Sequence, residues 1–357
     1  MFHHIRCERR GITRTEFLVV VGIVGLLICL LIPYIQAVRE AARRASCISS
    51  FKQTGLALHN YHDAYGSFPP SMLERPPGNL LSKANPLPGS DNSNGGGADF
   101  SWHVMLLPYL TSGDYYQMLD IENGFPFDGD PDRAAVAATL CSSKGDIIRT
   151  GPGIRCPSYI GPEWSQAPEY KRQSAATGNH VALGATHIES LYRTETRPIG
   201  GVRHPNGTIY PGSRTSIKDV IDGTTNTLVT CETREPNYAA WIDGTTAAVV
   251  GLAQQSRPTF QPFEDKAFFS PTDAVKTTIN WGDDDARKGR FYLDAGDHSG
   301  SQPWAHGPSS FHPGLVNHGL GDGSVRSVTE KIDPRVYMWL ITRAGGEPVN
   351  EFHEEQL

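Results

Sequence analysis

The C-terminal third of the chain concentrates side chains that could bind a metal ion. Imidazole and carboxylate groups suit zinc and other divalent cations. The candidates in this region are His298, His306, His312, His318, Asp294, Asp297 and Asp322. Their spacing matches no compact ligand motif such as His-Glu-x-x-His on one helix. We therefore expect no bound metal, and we expect His312 to support its own loop and the Asp322 turn through hydrogen bonds; the alternative makes His312, His318 and Asp322 ligands.

Other catalytic and cofactor patterns are incomplete. Residues 128–132, Asp-Gly-Asp-Pro-Asp, resemble the start of a calcium loop, but Arg133 and Thr139 stand where that loop needs glycine and glutamate. The serines lack the Gly-x-Ser-x-Gly elbow of hydrolases, and the glycine pairs do not lie between a strand and a helix, where phosphate-binding loops occur. The sequence therefore predicts a protein that is not an enzyme and has no cofactor.

Six cysteines divide between the N-terminal region and the rest of the chain. Cys7 and Cys29 belong to the first 35 residues, which leaves Cys47, Cys141, Cys156 and Cys231 further along. Four cysteines allow three pairings. Because Cys141 and Cys156 enclose a short glycine-containing loop, we favour a disulfide between these two; buried, reduced thiols are the alternative, which suits Cys231 best.

Composition and charge narrow the class of protein. The formal net charge of the 357-residue chain is −6 at pH 7, and its pI is about 6.1. Proteins that bind nucleic acid need clustered Lys and Arg to neutralise phosphates, so we expect no nucleic-acid partner. The chain contains 37 Gly and 26 Pro, which favours a turn-rich, β-rich body over a helical bundle.

One long helix is predicted near the N-terminus. Residues 17–35 carry no charge, and such a helix spans roughly 28 Å at ~1.5 Å per residue, close to the thickness of a bilayer core. A secretory signal peptide is disfavoured because its apolar region is shorter and ends at a small-residue cleavage site. Apolar residues at helical spacing continue to about residue 59, so the helix should end near Gly66, before Pro69.

The residues before this span resemble the class III signal of type IV prepilins and pseudopilins. Arg9 and Arg10 precede Gly11, and Glu16 is the fifth residue after that glycine. The resemblance implies that a prepilin peptidase cleaves after Gly11 and that Ile12 becomes the methylated N-terminus. The predicted divisions are a leader at 1–11, a helix at 12–65 with its transmembrane part at about 17–35, and an extracytoplasmic body at 66–357.

The rest of the chain resembles a large planctomycete family of prepilin-type proteins that carry the domain of unknown function 1559. The resemblance rests on residues 47–71, 101–110, 156–158 (Cys-Pro-Ser), 217–233 and 334–349, which occur in the family's order. It includes the C-terminal His-x9-Asp-Gly signature, formed here by His312, Asp322 and Gly323. It implies an α+β, pilin-like fold with a long N-terminal transmembrane helix packed on a β-rich globular body.

The resemblance also implies a role and a location. We expect a single-pass protein of the inner membrane, with its body outside the cytoplasm, that acts as a structural subunit of a type IV pilus-like or type II secretion-like assembly. Other pilin-like subunits would then be partners. The alternative is an anchored binding protein that recognises a glycan or a surface partner; a metal hydrolase using the C-terminal His and Asp residues is the least favoured.

Processing after Gly11 can be tested directly. The protein isolated from its native host should begin at Ile12, and Gly11→Val should block cleavage because a β-branched side chain adds bulk next to the cut. N-terminal sequencing of both proteins measures the outcome. An intact Met1 on the wild-type protein would contradict the prediction.

Overall fold

The computed structural model of the chain describes the long N-terminal helix and part of the body. The described residues are 13–72, 100–110, 116–117, 154–162, 164, 176–186, 190, 205–234, 240–244, 247–251, 279–280 and 307–346. Gly11, Ile12, Cys141 and the predicted leader lie outside these residues, as do residues 128–132.

The first element is helix α1, Arg14–Tyr65, 52 residues long. It begins with a capping box in which the Thr13 hydroxyl accepts the Glu16 N–H and the Glu16 carboxylate accepts the Thr13 N–H at 2.9 Å. It ends at Gly66, whose φ of 73° is left-handed and whose N–H donates to the His62 carbonyl at 2.7 Å. The predicted end of the helix at Gly66 is confirmed.

The N-terminal half of α1 is apolar and exposed. Its most apolar 18-residue window has a mean hydropathy of 2.9, and none of it is buried in the described body. A helix of this length and composition could span a membrane or act as a signal anchor. The first fully buried residue of α1 is Cys47, whereas Ala41 and Ala45, two of the apolar residues at helical spacing, are exposed.

A five-stranded mixed sheet forms the centre of the described body. Its strands are β1 His180–Ala185, β2 Leu228–Glu232, β3 Ala248–Val250, β4 Leu315–Leu320 and β5 Val325–Thr329. Their order is β3-β1-β2-β4-β5. The β1–β3 pair is parallel, and the other three pairs are antiparallel.

Helices cover both faces of this sheet. On one face, α1 packs beside the short helix α2, Trp102–Leu106, which continues as a 3₁₀ turn at Leu107–Tyr109. On the other face, helix α3, Pro334–Ile341, buries Val336, Tyr337 and Leu340 against alternate strand residues. This alternation between faces follows from the two-residue period of a strand. The predicted α+β, pilin-like layout of a long helix on a β-rich body is confirmed.

Because Asp-Gly readily adopts a tight turn, the sequence predicts that residues 315–320 and 324–328 pair as antiparallel strands around Asp322 and Gly323. β4 has the predicted bounds, and β5 begins one residue later than the predicted 324–328. Asp322 accepts the Ser324 N–H at 2.9 Å, and Gly323 adopts a φ of 82°, which favours glycine. Gly323 also lies against Gly55 of α1, where an added Cβ on Gly55 would approach the Gly323 Cα to 2.7 Å.

We predict that Gly55→Ala destabilises the body although alanine is the better helix former by about 1 kcal/mol. The added Cβ meets backbone rather than a flexible side chain, and overpacking of this kind costs about 1–3 kcal/mol. Denaturant unfolding should show the loss. The control is Leu56→Ala, because Leu56 is 64% exposed and its truncation should leave stability almost unchanged; equal stability of the two variants would contradict the close contact.

Candidate functional site

Four buried residues from separate segments meet where α1 first enters the body. Cys47 lies on α1, Cys156 in the segment 154–162, Glu232 at the end of β2, and His312 in the loop before β4. Their relative exposures are 0%, 3%, 0% and 2%. We call these four residues the junction cluster.

Cys47 and Cys156 form a disulfide with a Cα–Cα distance of 5.1 Å. The predicted Cys141–Cys156 pair is therefore wrong, because Cys156 is bonded to a helix residue 109 positions earlier in the chain. The sequence argument counted the residues between neighbouring cysteines, whereas the fold brings α1 across the Cys-Pro-Ser turn. The thiol of Cys231 is free and buried, as the alternative expected, and burial raises its pKa well above the usual value.

The imidazole of His312 joins α1 to the cluster. Its Nδ1 donates to the Glu40 carboxylate, with 2.5 Å between Nδ1 and Oε1. Its Nε2 lies 3.5 Å from the Cys156 sulfur and 3.7 Å from Glu232 Oε1. Burial raises the pKa of the Glu40 carboxyl, but the hydrogen bonds and charges of His312 and Arg43 outweigh it, and the net shift is downward.

Glu232 is a carboxyl group without access to solvent. Burial raises its pKa, and the hydrogen bonds from Ser310 and Asn317 and the charge of His312 reduce that shift. Asn317 of β4 donates to it twice, from its backbone N–H at 3.3 Å and from its side-chain amide at 3.2 Å. The β2–β4 pairing therefore positions this carboxyl group.

The segment around Cys156 is held by two further hydrogen bonds. The backbone N–H of Cys156 donates to the side-chain oxygen of Asn179 at 2.6 Å. The N–H of Ser158 donates to the Cys156 sulfur at 3.4 Å. These contacts place the sulfur next to His312.

The ligand atoms of the junction cluster lie close enough to share one ion. Two sulfurs, one imidazole nitrogen and one carboxylate oxygen all lie within 4.8 Å of one another. Sulfur and imidazole donors in this combination are those that zinc prefers. The arrangement can thus serve as a covalent link or as a set of metal ligands.

His298, His306, Asp294 and Asp297 lie outside the described residues. Among the described candidates, the structure separates His318 and Asp322 from His312. His318 contacts the Val316 carbonyl at 3.0 Å and the Tyr337 hydroxyl at 2.8 Å, while Asp322 is exposed at its turn. The alternative ligand set of His312, His318 and Asp322 is therefore not assembled, and His312 contacts α1 and β2 rather than the Asp322 turn. Glu16 is in the N-terminal capping box.

Three residues of this site were missed by sequence analysis. Cys47 was counted among the cysteines but was given no partner, whereas Glu40 and Glu232 were not considered as site residues. No local motif marks them, since they are far apart in the chain. A helix cysteine with a glutamate seven residues before it was the one usable signal, because both lie on the same helix face.

Comparison with known proteins identifies one related family. The family model described as "Protein of unknown function (DUF1559)" matches residues 36–335. No curated protein matches the chain, and no solved structure matches it. The matched range includes Glu40 and the whole junction cluster.

Acid should destabilise the fold through its buried histidines. Burial lowers the pKa of His318 to about 4 and that of His103 to about 3. Below pH 6.5 the unfolded chain binds protons that these side chains do not bind in the folded state, so stability is lost as pH falls towards 4. One such group contributes about 1.4 kcal/mol per pH unit in this window. Urea unfolding measured between pH 7 and pH 4.5 should show that the free energy of unfolding falls less steeply with decreasing pH in His318→Gln than in the wild type. Equal slopes would contradict the lowered pKa of His318.

Proposed function

The chain belongs to the DUF1559 family, and from this premise we propose that it is a membrane-anchored, pseudopilin-like structural subunit of a type IV pilus-like or type II secretion-like assembly. The observation that supports this most is the division of α1 into an exposed apolar half and a half packed on the sheet. The proposed role is structural rather than catalytic.

The apolar half of α1 needs an environment other than water. Its large side chains are between 45% and 68% exposed from Phe17 to Ile35. A continuous apolar surface of this size marks contact with lipid or with another protein. When a subunit leaves the bilayer and enters a helical assembly, this surface would lose its contact with lipid and gain contact with other subunits.

In the proposed assembly, Glu16 sets the axial position of each helix relative to its neighbour. In an assembly, its carboxylate could neutralise the free amine of Ile12 of a neighbouring subunit after cleavage at Gly11. Both charges would lie in an apolar bundle, where an unpaired charge is costly. Pairing of these two groups would therefore fix the axial position of each helix.

The proposed location follows from the resemblance of the N-terminal residues to the signal of type IV prepilins and pseudopilins. The helix would anchor the protein in the inner membrane, with the body outside the cytoplasm. The prepilin peptidase would be a transient partner, and pilin-like subunits would be the lasting ones.

The test compares assembly of the wild-type chain with that of Glu16→Ala in the native host. Sheared surface fractions are collected, and the sedimentable share of the protein is measured. We expect Glu16→Ala to lower that share more than about tenfold, since leaving a buried charge unpaired costs about 3–5 kcal/mol. N-terminal sequencing establishes that both chains begin at Ile12.

Glu330→Ala is the matched control, because Glu330 is an exposed carboxylate on the body and should not affect assembly. If the wild-type protein stays monomeric in the membrane and its body binds a glycan or a surface partner regardless of Glu16, the anchored binding protein is the better description. That result would contradict the structural role.

A further inference from the structure

The junction cluster places a buried carboxyl group and a buried imidazole beside two cysteine sulfurs. A disulfide is uncharged and does not need such neighbours. Burying a carboxylate costs free energy unless the group is hydrogen-bonded, paired or coordinates a metal. Glu232 is 0% exposed, is held by Asn317 and faces the imidazole of His312 and the cysteine sulfurs. The disulfide therefore does not explain why Glu232 and His312 are buried beside it.

Two of the distances between donor atoms fit a tetrahedral ion. Zinc lies ~2.3 Å from sulfur and ~2.0–2.1 Å from nitrogen or oxygen, so neighbouring ligands of one ion are roughly 3.3–3.8 Å apart. His312 Nε2 is 3.5 Å from the Cys156 sulfur and 3.7 Å from Glu232 Oε1. Two edges of the tetrahedron are thus already present.

Surrounding hydrogen bonds orient these donors. Because Nδ1 of His312 donates to Glu40, Nε2 is the ring nitrogen that faces the cluster, and in the neutral imidazole its lone pair is available to a metal ion. Asn317 holds the Glu232 carboxylate, and the Ser158 N–H donates to the Cys156 sulfur at 3.4 Å. A carboxylate behind a ligating histidine is the usual outer contact of a zinc site.

We propose that the dithiol form of this protein binds one Zn²⁺ through Cys47, Cys156, Glu232 and His312. Each thiol loses its proton when the ion binds, and His312 keeps the proton on Nδ1. The disulfide and the zinc site are alternative states of the same two sulfurs, and either one links α1 to the body. A dithiol or phosphine reductant supplies the two electrons that open the disulfide, two protons complete the thiols, and these two protons are released when Zn²⁺ binds.

The chemistry of the donors selects the ion. Calcium and magnesium prefer ligand sets made only of oxygen, whereas thiolate and imidazole ligands favour zinc. Four protein ligands also close the coordination shell, which is typical of structural rather than catalytic zinc. The site is therefore proposed to stabilise the junction.

The experiment uses the full chain in detergent, reduced with a phosphine and then desalted. Zinc content is measured by elemental analysis after addition of ZnCl₂, and affinity by competition with a chromogenic chelator. We expect one zinc per reduced chain and none above background in the oxidised chain. Co²⁺ should give the visible bands of tetrahedral coordination and a sulfur charge-transfer band in the near ultraviolet.

Variants separate the site from adventitious binding. Cys47→Ser and His312→Gln should lose stoichiometric zinc, and Glu40→Gln should weaken binding about 10–100-fold by removing an outer contact. Cys231→Ala and His318→Gln are the controls, since each removes a buried residue of the same type outside the cluster. Both should retain one zinc.

A measurement on the wild-type chain avoids dependence on variants that fail to fold. Zinc should slow alkylation of Cys47 and Cys156, compared with the same reduced chain in EDTA, as followed by peptide mass spectrometry. If the reduced wild-type chain binds no more zinc than Cys47→Ser, or if the oxidised chain binds as much as the reduced one, the proposal is wrong.

Discussion

The packing of a few turns of α1 against the sheet is the constraint on which the described fold depends. Cys47, Phe51 and Gly55 follow one another at intervals of four residues and so share one face of the helix. Cys47 is bonded to Cys156, the ring of Phe51 stacks on His180 with 4.1 Å between centroids, and Gly55 allows the helix to touch the β4–β5 turn. A covalent bond, a ring contact and a backbone contact thus fix three successive turns.

This constraint also explains why polar groups are buried at the same place. Glu232 ends β2 beside the point where the helix arrives, and Asn317 of the neighbouring strand supplies its hydrogen bonds. Asn317 is itself held by the Ser327 hydroxyl of β5 at 2.7 Å. The position of the carboxyl group therefore depends on the pairing of three strands, β2, β4 and β5.

Local signals in the sequence were sufficient for the helix and for one hairpin. Uncharged residues, helical spacing and Gly66 predicted the extent of α1, and the Asp322-Gly323 turn predicted the β4–β5 pair. The strand β3 and its parallel pairing with β1 have no comparable local signal, since parallel pairing is set by distant segments. The Cys47–Cys156 bond could not be predicted for the same reason, because its two residues are 109 positions apart in the chain. The predicted Cys141–Cys156 pair was chosen for its short loop, which takes no account of where α1 lies in the fold.

The position of Cys47 also has a mechanical meaning. Residues 14–39 extend away from the described body as about 40 Å of helix. The first links between this helix and the body are the Glu40–His312 hydrogen bond and the Cys47–Cys156 disulfide. A pulling force along this helix reaches these two links before it reaches the hydrogen bonds of the sheet. Because the Cys47–Cys156 disulfide is covalent, it bears a pull on the helix, and the hydrogen bonds between the strands bear less of the force.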